Sequence, residues 1–296
     1  MVWDMETSDP DDFITLLLLL GHPMVNLKAV TITPGTPDQV GLVRRALSWF
    51  GREHLPIGAF DLSHPKDCVS AWHHRVYGRE PPSWDAEPGP AVLLRECDDA
   101  TILVTGAPLK NLGAAVTQSG FRLGCWVAQG GFAGANLVPE ERQLPAFKGR
   151  LTCPSYNLDG ARQAAQAALA APNIAERYFI SKNVCHGVVY DADLHAIVGE
   201  VKDCSLSLQL IHRGMEAYLK KNAAGKKLHD PLAACCAIDH SIGVWAAVEL
   251  FRGKGGWGAE PSPGSSTHII TDYNRERFIE VLTAHAGSAR SGGIQP

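Results

Sequence analysis

The chain of 296 residues reads as a single α/β domain built on a mostly parallel central sheet flanked by helices. Three observations predict this. Strand-like and helix-like segments alternate along the chain, an apolar start runs through an acidic turn into an apolar run, and neither a repeat nor a linker breaks the alternation.

Met1 to Trp3 is the apolar start, and Phe13 to Leu20 is a helix that stops at Gly21-His22-Pro23. Asn26 to Thr33 is rich in β-formers and ends at Pro34-Gly35, which completes a β-α-β unit. Val40, Val43, Leu47 and Phe50 fall at helical spacing within Asp38 to Phe50, and Leu55 to Phe60 is the next strand. Ser63 to Pro90, polar and rich in His, Trp and Pro, reads as a long loop of the kind that forms lids. Thr101 to Thr105 is a short buried strand, a helix opens near Lys110, and Cys125 to Gln129 is a strand ending in Gly130-Gly131. Asn136 to Tyr156 reads as loop, Asp159 to Leu169 as an alanine-rich helix, and Arg177 to Ser181 as a strand. Leu206 to Leu219 is helical, and His229-Asp230-Pro231 starts another helix that runs to Ile238. Val244 to Phe251 and Thr267 to Thr271 pair as late strands across the glycine- and proline-rich Gly253 to Ser266, before a last helix, Asn274 to His285. The domain therefore spans residues 1–285, with a disordered tail expected over 286–296.

Composition excludes several function classes. With 20% charged residues and a net charge of −4 there is no basic excess to attract nucleic acid or an anionic membrane. The leucine run from Leu16 to Leu20 is far too short to span a bilayer, and the first residues carry acid where a secretory signal carries base. Eight scattered cysteines with no C-x-x-C read as reduced, mostly buried thiols of a cytoplasmic protein.

The chemistry concentrates in Asp4-Met5-Glu6-Thr7-Ser8-Asp9-Pro10-Asp11-Asp12, five carboxylates within nine residues at the carboxyl end of the first strand. Ligands of open α/β sheets sit at that edge. Carboxylates so crowded repel one another unless a cation shares them, and oxygen-only donors suit calcium or magnesium better than zinc. Helix capping accounts for Asp11 or Asp12 but leaves Asp4, Glu6 and Asp9 without a role.

Six segments in order resemble the inosine-uridine-preferring nucleoside hydrolase family. The acidic stretch resembles its D-x-D-x-G-x-D-D signature, and Val25 to Gly35 its second strand and turn. Thr105 to Asn111 resembles T-G-P-L-T-N, and Gly130-Gly131 with Asn136 and Pro139 resembles G-G…N-x-x-P. Ser155 to Asp159 resembles E-F-N-x-x-D, and His229 to Ala233 resembles H-D-P-L-A. The resemblance implies a Rossmann-like core, a Ca2+ ion at the strand ends, and hydrolysis of the N-glycosidic bond of a ribonucleoside to ribose and free base. By position it implies metal ligands Glu6, Asp12, Asp230 and the carbonyl of Lys110, with Asp9 as an alternative to Glu6. It implies ribose contacts from Asp11, Asn136, Ser155 and Asn157, catalytic roles for Glu6 and Asp11, and His229 beside the leaving base as acid or hydrogen-bond donor. It further implies a role in purine and pyrimidine salvage, a small-molecule ribonucleoside as partner, and a homo-oligomer, dimer or tetramer.

The chain departs from the family pattern. Its signature reads D-x-E-x-x-D-x-D-D, one residue longer, so the register between Glu6 and Asp11 stays open. Thr36 replaces a ribose-binding asparagine, and Ser155 a glutamate that binds the 5′-hydroxyl. An insertion, Glu141 to Cys153, adds Arg142, Lys148 and Arg150, which raises a 5′-phosphate or other 5′-substituent as an alternative substrate feature. A third reading is a metal-dependent riboside-binding protein impaired in turnover. Trp72, His73, His74, Tyr77 and His186 are the candidates for base recognition.

Overall fold

The computed structural model describes residues 1–287; of the expected tail, everything past Gly287 lies outside the described residues. Strand β1 (Val2–Met5), helix α1 (Pro10–Gly21) and strand β2 (Ala29–Ile32) form the expected first unit, followed by α2 (Pro37–Trp49) and β3 (Ile57–Ala59). Thr36 opens α2 through a reciprocal cap: its hydroxyl accepts from the Gln39 amide while Gln39 Oε1 accepts from the Thr36 amide.

The stretch expected as one long loop instead holds α3 (Ala71–Tyr77) and the short edge strand β4 (Glu87–Pro88), with α4 (Gly89–Glu96) directly after it. Trp72, His73, Val76 and Tyr77 fall on one face of α3 and are buried, so this aromatic stretch is a core helix. The chain then runs through β5 (Ile102–Thr105), α5 (Lys110–Ala115) and β6 (Leu123–Gln129). Residues 136–156 are irregular apart from two 3-10 turns, as expected, and lead into α6 (Tyr156–Asp159), α7 (Arg162–Ala170) and β7 (Ile174–Ile180). Next come α8 (Lys182–Cys185), β8 (Val189–Tyr190), α9 (Ala192–Val201), α10 (Leu206–Leu219), β9 (Lys226–Lys227) and α11 (His229–Ile238). The chain closes with β10 (Gly243–Gly253), β11 (Gly256–Pro261), β12 (Thr267–Tyr273) and α12 (Arg275–Leu282). β11 occupies the segment expected only to separate the two late strands, which do pair, antiparallel.

The main sheet runs β11-β10-β12-β7-β6-β5-β1-β2-β3-β4, parallel from β12 through to β4, with β10 reversed and β11 reversed again. The chain builds outward from β1 through β2 to β4, then returns to lay β5 on the other side of β1. That reversal places a topological switch point at the carboxyl ends of β1 and β5, where the acidic turn emerges.

Helix α1 is buried on every side from Pro10 to Leu20, which explains its unbroken leucine run. Each such leucine contributes about 1.5–3 kcal/mol by leaving water. The last turn of α1 lies against α10: Ser207 Oγ donates to the Leu17 carbonyl at 2.7 Å, and a Cβ at Gly21 would stand 2.3 Å from Ser207 Cβ. A post fixed this firmly holds the acidic turn at its N-terminal end in one place. The eight cysteines are free thiols, among them Cys235 and Cys236, both fully buried on α11.

Candidate active site

The acidic turn and the start of α11 meet although more than two hundred residues separate them. Asp11 Oδ2 accepts from the backbone amides of His229 (3.1 Å) and Asp230 (3.4 Å), so a carboxylate of α1 caps α11, whose own Leu228 offers no side-chain cap. Asp12 Oδ1 accepts from the Glu6 amide at 2.9 Å and closes the turn on itself. Asp9, at the N-cap position of α1, makes no cap with its side chain; its carboxylate turns to Lys226 at 3.1 Å. Helix capping therefore does not explain Asp9, and it explains Asp11 only through another helix.

These contacts gather Asp11, Asp12 and Asp230, one carboxylate oxygen from each lying within 4.8 Å of the others. Burial pushes the carboxyls of Asp12 and Asp230 well up, and their carboxylate neighbours push further. Glu6 is raised by burial too, with opposition from a hydrogen bond with Ser8. Lys226 pairs with Asp9 and Asp11, and among the described residues no ion pair compensates Asp12 or Asp230. Asp230 Oδ1 is buried without a hydrogen-bond partner, and Gly106 leaves the room beside it, since a Cβ there would lie 2.7 Å from that oxygen. Carboxylate oxygens in excess, one of them orphaned, fit a hard divalent cation.

A cleft of ≈ 460 Å³ opens over this cluster, lined by Glu6, Asp9, Asp11, Asp12, Asn157, His186, His229 and Asp230 together with Ser8, Gly106, Gln129, Tyr156 and Lys182. A second hollow of ≈ 540 Å³ adjoins it through Glu6, Ser8 and Tyr156 and reaches Lys110, His64 and Cys68. Both volumes suit a drug-sized or nucleoside-sized ligand.

The other expected residues divide. Asn157 lines the cleft, its amide donating to the carbonyl and side chain of Gln129 while its Oδ1 is buried without a partner. His229 sets its ring Nδ1 3.8 Å from Asp11 Oδ2, and burial lowers its pKa to about 4. His186 stacks on it with ring centres 4.8 Å apart. Glu6 lines the cleft, but its Oε1 takes the Ser8 hydroxyl at 2.6 Å and the residue stands outside the three-aspartate group. Lys110 lies in the adjoining hollow with its ammonium over the Phe60 ring.

Asn136 and Ser155 do not line the cleft. Asn136 is exposed and donates to the Ala259 carbonyl at 2.8 Å, drawn there by β11. Ser155 is buried behind the Gly130-Gly131 turn and accepts from the Gly131 amide at 3.3 Å. Thr36 is occupied as a helix cap. Of the base-recognition candidates, His186 alone reaches the cleft; His73 and Tyr77 pack on Phe13 in the core, and Trp72 packs on both of them. In the insertion, Arg142 pairs with Asp272 and Lys148 with Glu140, and neither they nor Arg150 line the cleft.

Sequence reasoning missed Tyr156, 62% exposed at the junction of the two hollows, and Lys226. Tyr156 had a signal, its place beside Asn157. Lys226 had none.

Neither a protein-family model nor a curated protein sequence matches the chain. Solved structures do. A plant nucleoside hydrolase, PpNRh1, superposes with a TM-score of 0.69 at 19% identity, covering 95% of this chain and 96% of the other. The chain has the nucleoside hydrolase fold. The inosine-uridine preferring nucleoside hydrolase from Bacillus anthracis matches with a TM-score of 0.67 at 18% identity over 95% of this chain and 97% of that one. The purine-preferring ribonucleoside hydrolase from Gardnerella vaginalis gives 0.67 at 14% identity over 95% and 96%. The mostly parallel sheet with its antiparallel edge thus belongs to the nucleoside hydrolase fold, which the match follows over 95% of the chain. Among the described residues no helix is long and apolar enough to cross a membrane.

Proposed function

We propose that the protein hydrolyses the N-glycosidic bond of a ribonucleoside, with a divalent cation (calcium, as the resemblance implies) held by Asp12 and Asp230 and completed by Glu6 and the Lys110 carbonyl. One observation carries this reading: the buried, unpartnered Asp230 Oδ1 beside Asp11 and Asp12 at the switch point of a nucleoside hydrolase fold.

The residues divide the work by position. As the bond from C1′ to the base breaks, positive charge builds on the sugar, and the carboxylates lining the cleft stabilise it. Water supplies the oxygen that joins C1′, and its proton passes to a carboxylate, for which Glu6 is placed along the cleft; Asp9, the alternative, lines it too but is paired with Lys226. A cation held by Asp12 and Asp230 would lower the pKa of water at the site. His229 Nε2 is buried without a partner and free to meet the leaving base. Because burial lowers this ring's pKa to about 4, it is neutral near pH 7, and in the tautomer with its proton on Nε2 it acts as a hydrogen-bond donor, not as a charged acid. Asn157 offers its unpartnered oxygen to a sugar hydroxyl.

A second reading, a riboside-binding protein with impaired turnover, rests on Glu6, whose carboxylate is engaged by Ser8 apart from the aspartates. A 5′-phosphate preference draws no support from the insertion, since Arg142 and Lys148 pair elsewhere and Arg150 does not line the cleft; it rests on Ser155 alone. Incubating the protein with purine, pyrimidine and modified ribonucleosides and their 5′-monophosphates, with calcium or chelator, tests all three. Calcium-dependent ribose release supports the hydrolase; calcium binding with no release favours the binding protein; release from monophosphates alone restores the third. A salvage role, the cytoplasm and a homo-oligomer belong with the hydrolase reading.

A further inference from the structure

Lys226 is the unexpected member of the site. Its side chain is 5% exposed, and its ammonium has three partners: Asp11 Oδ1 at 3.0 Å, Asp9 Oδ2 at 3.1 Å and the Lys227 carbonyl at 2.9 Å. An ammonium has three donors, so all are used. Lys226 sits on β9, held by antiparallel pairing to Val189–Tyr190 of β8, three residues before His229. The oxygen of Asp11 that it leaves free, Oδ2, is the one that accepts from the His229 and Asp230 amides.

We propose that Lys226 is a positioning residue of the acidic site. Its ammonium is a built-in cation that fixes Asp9 and Asp11, and through Asp11 it sets the first turn of α11 with His229 and Asp230. The cluster is thereby divided. Asp9 and Asp11 belong to the lysine, while Glu6, Asp12 and Asp230 are left for a metal ion, which resolves the register of the lengthened signature in favour of Glu6 over Asp9. The turn brings Asp9 forward, and the Lys226 ammonium meets it.

The roles assigned to His229 and Asp230 rest on the hydrolase reading; the division of the carboxylates does not. Removing the ammonium frees Asp9 and Asp11 for a second cation and loosens the first turn of α11. In Lys226→Ala, calorimetric titration with calcium is expected to show an added binding event absent from the wild type. kcat for ribose release is expected to fall on the order of 100-fold, the cost of a displacement near 1 Å, while KM changes a few-fold at most. Propylammonium replaces the side chain beyond Cβ and should restore kcat and abolish the added calcium event; propanol, which lacks the charge, should do neither. Lys226→Met, which keeps the apolar stem, should behave as Lys226→Ala does before rescue and keeps the test valid if the alanine variant folds poorly. Unchanged calcium stoichiometry in both variants, or recovery with propanol as well as with the amine, overturns the proposal. If the wild type releases no ribose from any nucleoside, the hydrolase reading fails, while the calcium stoichiometry still decides the role of Lys226.

Discussion

Gly106→Ala tests the site through one methyl group. The added Cβ would lie 2.5 Å from a ring carbon of Trp3 and 2.7 Å from Asp230 Oδ1, where ordinary contact begins at 3.4 Å. Neither neighbour can stay where it is: the Gly106 backbone and the buried Trp3 ring part by about 0.9 Å, and the Asp230 carboxylate yields by about 0.7 Å. No left-handed backbone angle opposes alanine at this position. Overpacking costs about 1–3 kcal/mol, and the stiffer unfolded chain returns about 0.4–1 kcal/mol. A domain of this size then loses only a few degrees of melting temperature and stays folded. A ligand oxygen displaced by most of an ångström costs far more in function, where about 1 Å is worth about a hundredfold. The expected result is a fall in kcat/KM for ribose release on the order of 50- to 100-fold with weaker calcium binding by calorimetry. Gly253→Ala, whose Cβ would find its nearest neighbour at 3.4 Å, serves as control and should match the wild type. Wild-type calcium affinity and turnover in Gly106→Ala would refute the placement of Asp230 at the metal.

Further outcomes follow from other residues of the site. Asp12→Asn keeps an acceptor for the Glu6 amide but removes a charge, and should abolish calcium binding and calcium-dependent ribose release while leaving the circular dichroism spectrum unchanged. His229→Ala should slow nucleosides by about 10²–10⁴-fold, yet barely affect a riboside whose leaving group needs no hydrogen bond, such as a nitrophenyl riboside. Asn157→Ala should raise KM for nucleosides and Asn136→Ala should not, because the Asn136 amide is bonded to Ala259 away from the cleft. Burial pushes the Asp4 carboxyl up to about 7, against its hydrogen bonds with Thr31 and Asn111. The folded protein thus holds a proton that the unfolded chain releases near pH 4, and stability falls as pH rises from about 4 through about 7. Asp4→Asn should flatten the part of that slope due to Asp4 in urea titrations run with chelator.

How much of this was legible in the sequence depended on how local each cause was. The helix at Leu206 to Leu219 was placed to the residue, because Ser205 caps it and its apolar period is its own. The acidic turn was legible for the same reason: crowded carboxylates demand explanation wherever they fold. The aromatic stretch misled because its His, Trp and Pro content suggested an exposed loop. The spacing of Trp72, His73, Val76 and Tyr77 carried the helical signal, and Phe13 waited to receive that face. Asn136 was placed by motif alone, but its partner is a strand that glycine and proline had disguised. Lys226 was not legible at all. In the run from Lys220 to Lys227 it looks like any solvated lysine, and its burial comes from Asp9 and Asp11, far away along the chain.

That distance has a consequence for how the protein is made. The bonds that build the site join Asp9 and Asp11 to residues 226–230, spanning about three-quarters of the chain. Contacts between residues so far apart in sequence form late, after the entropy of closing the intervening chain has been met. A growing polypeptide can therefore lay down β1, α1 and β2 early and still carry its carboxylates uncompensated, exposed to water and to one another, until residue 230 has emerged. Competence to bind a cation in the pocket would then mark the end of folding, and a chain cut short before α11 would be recognisable by lacking it.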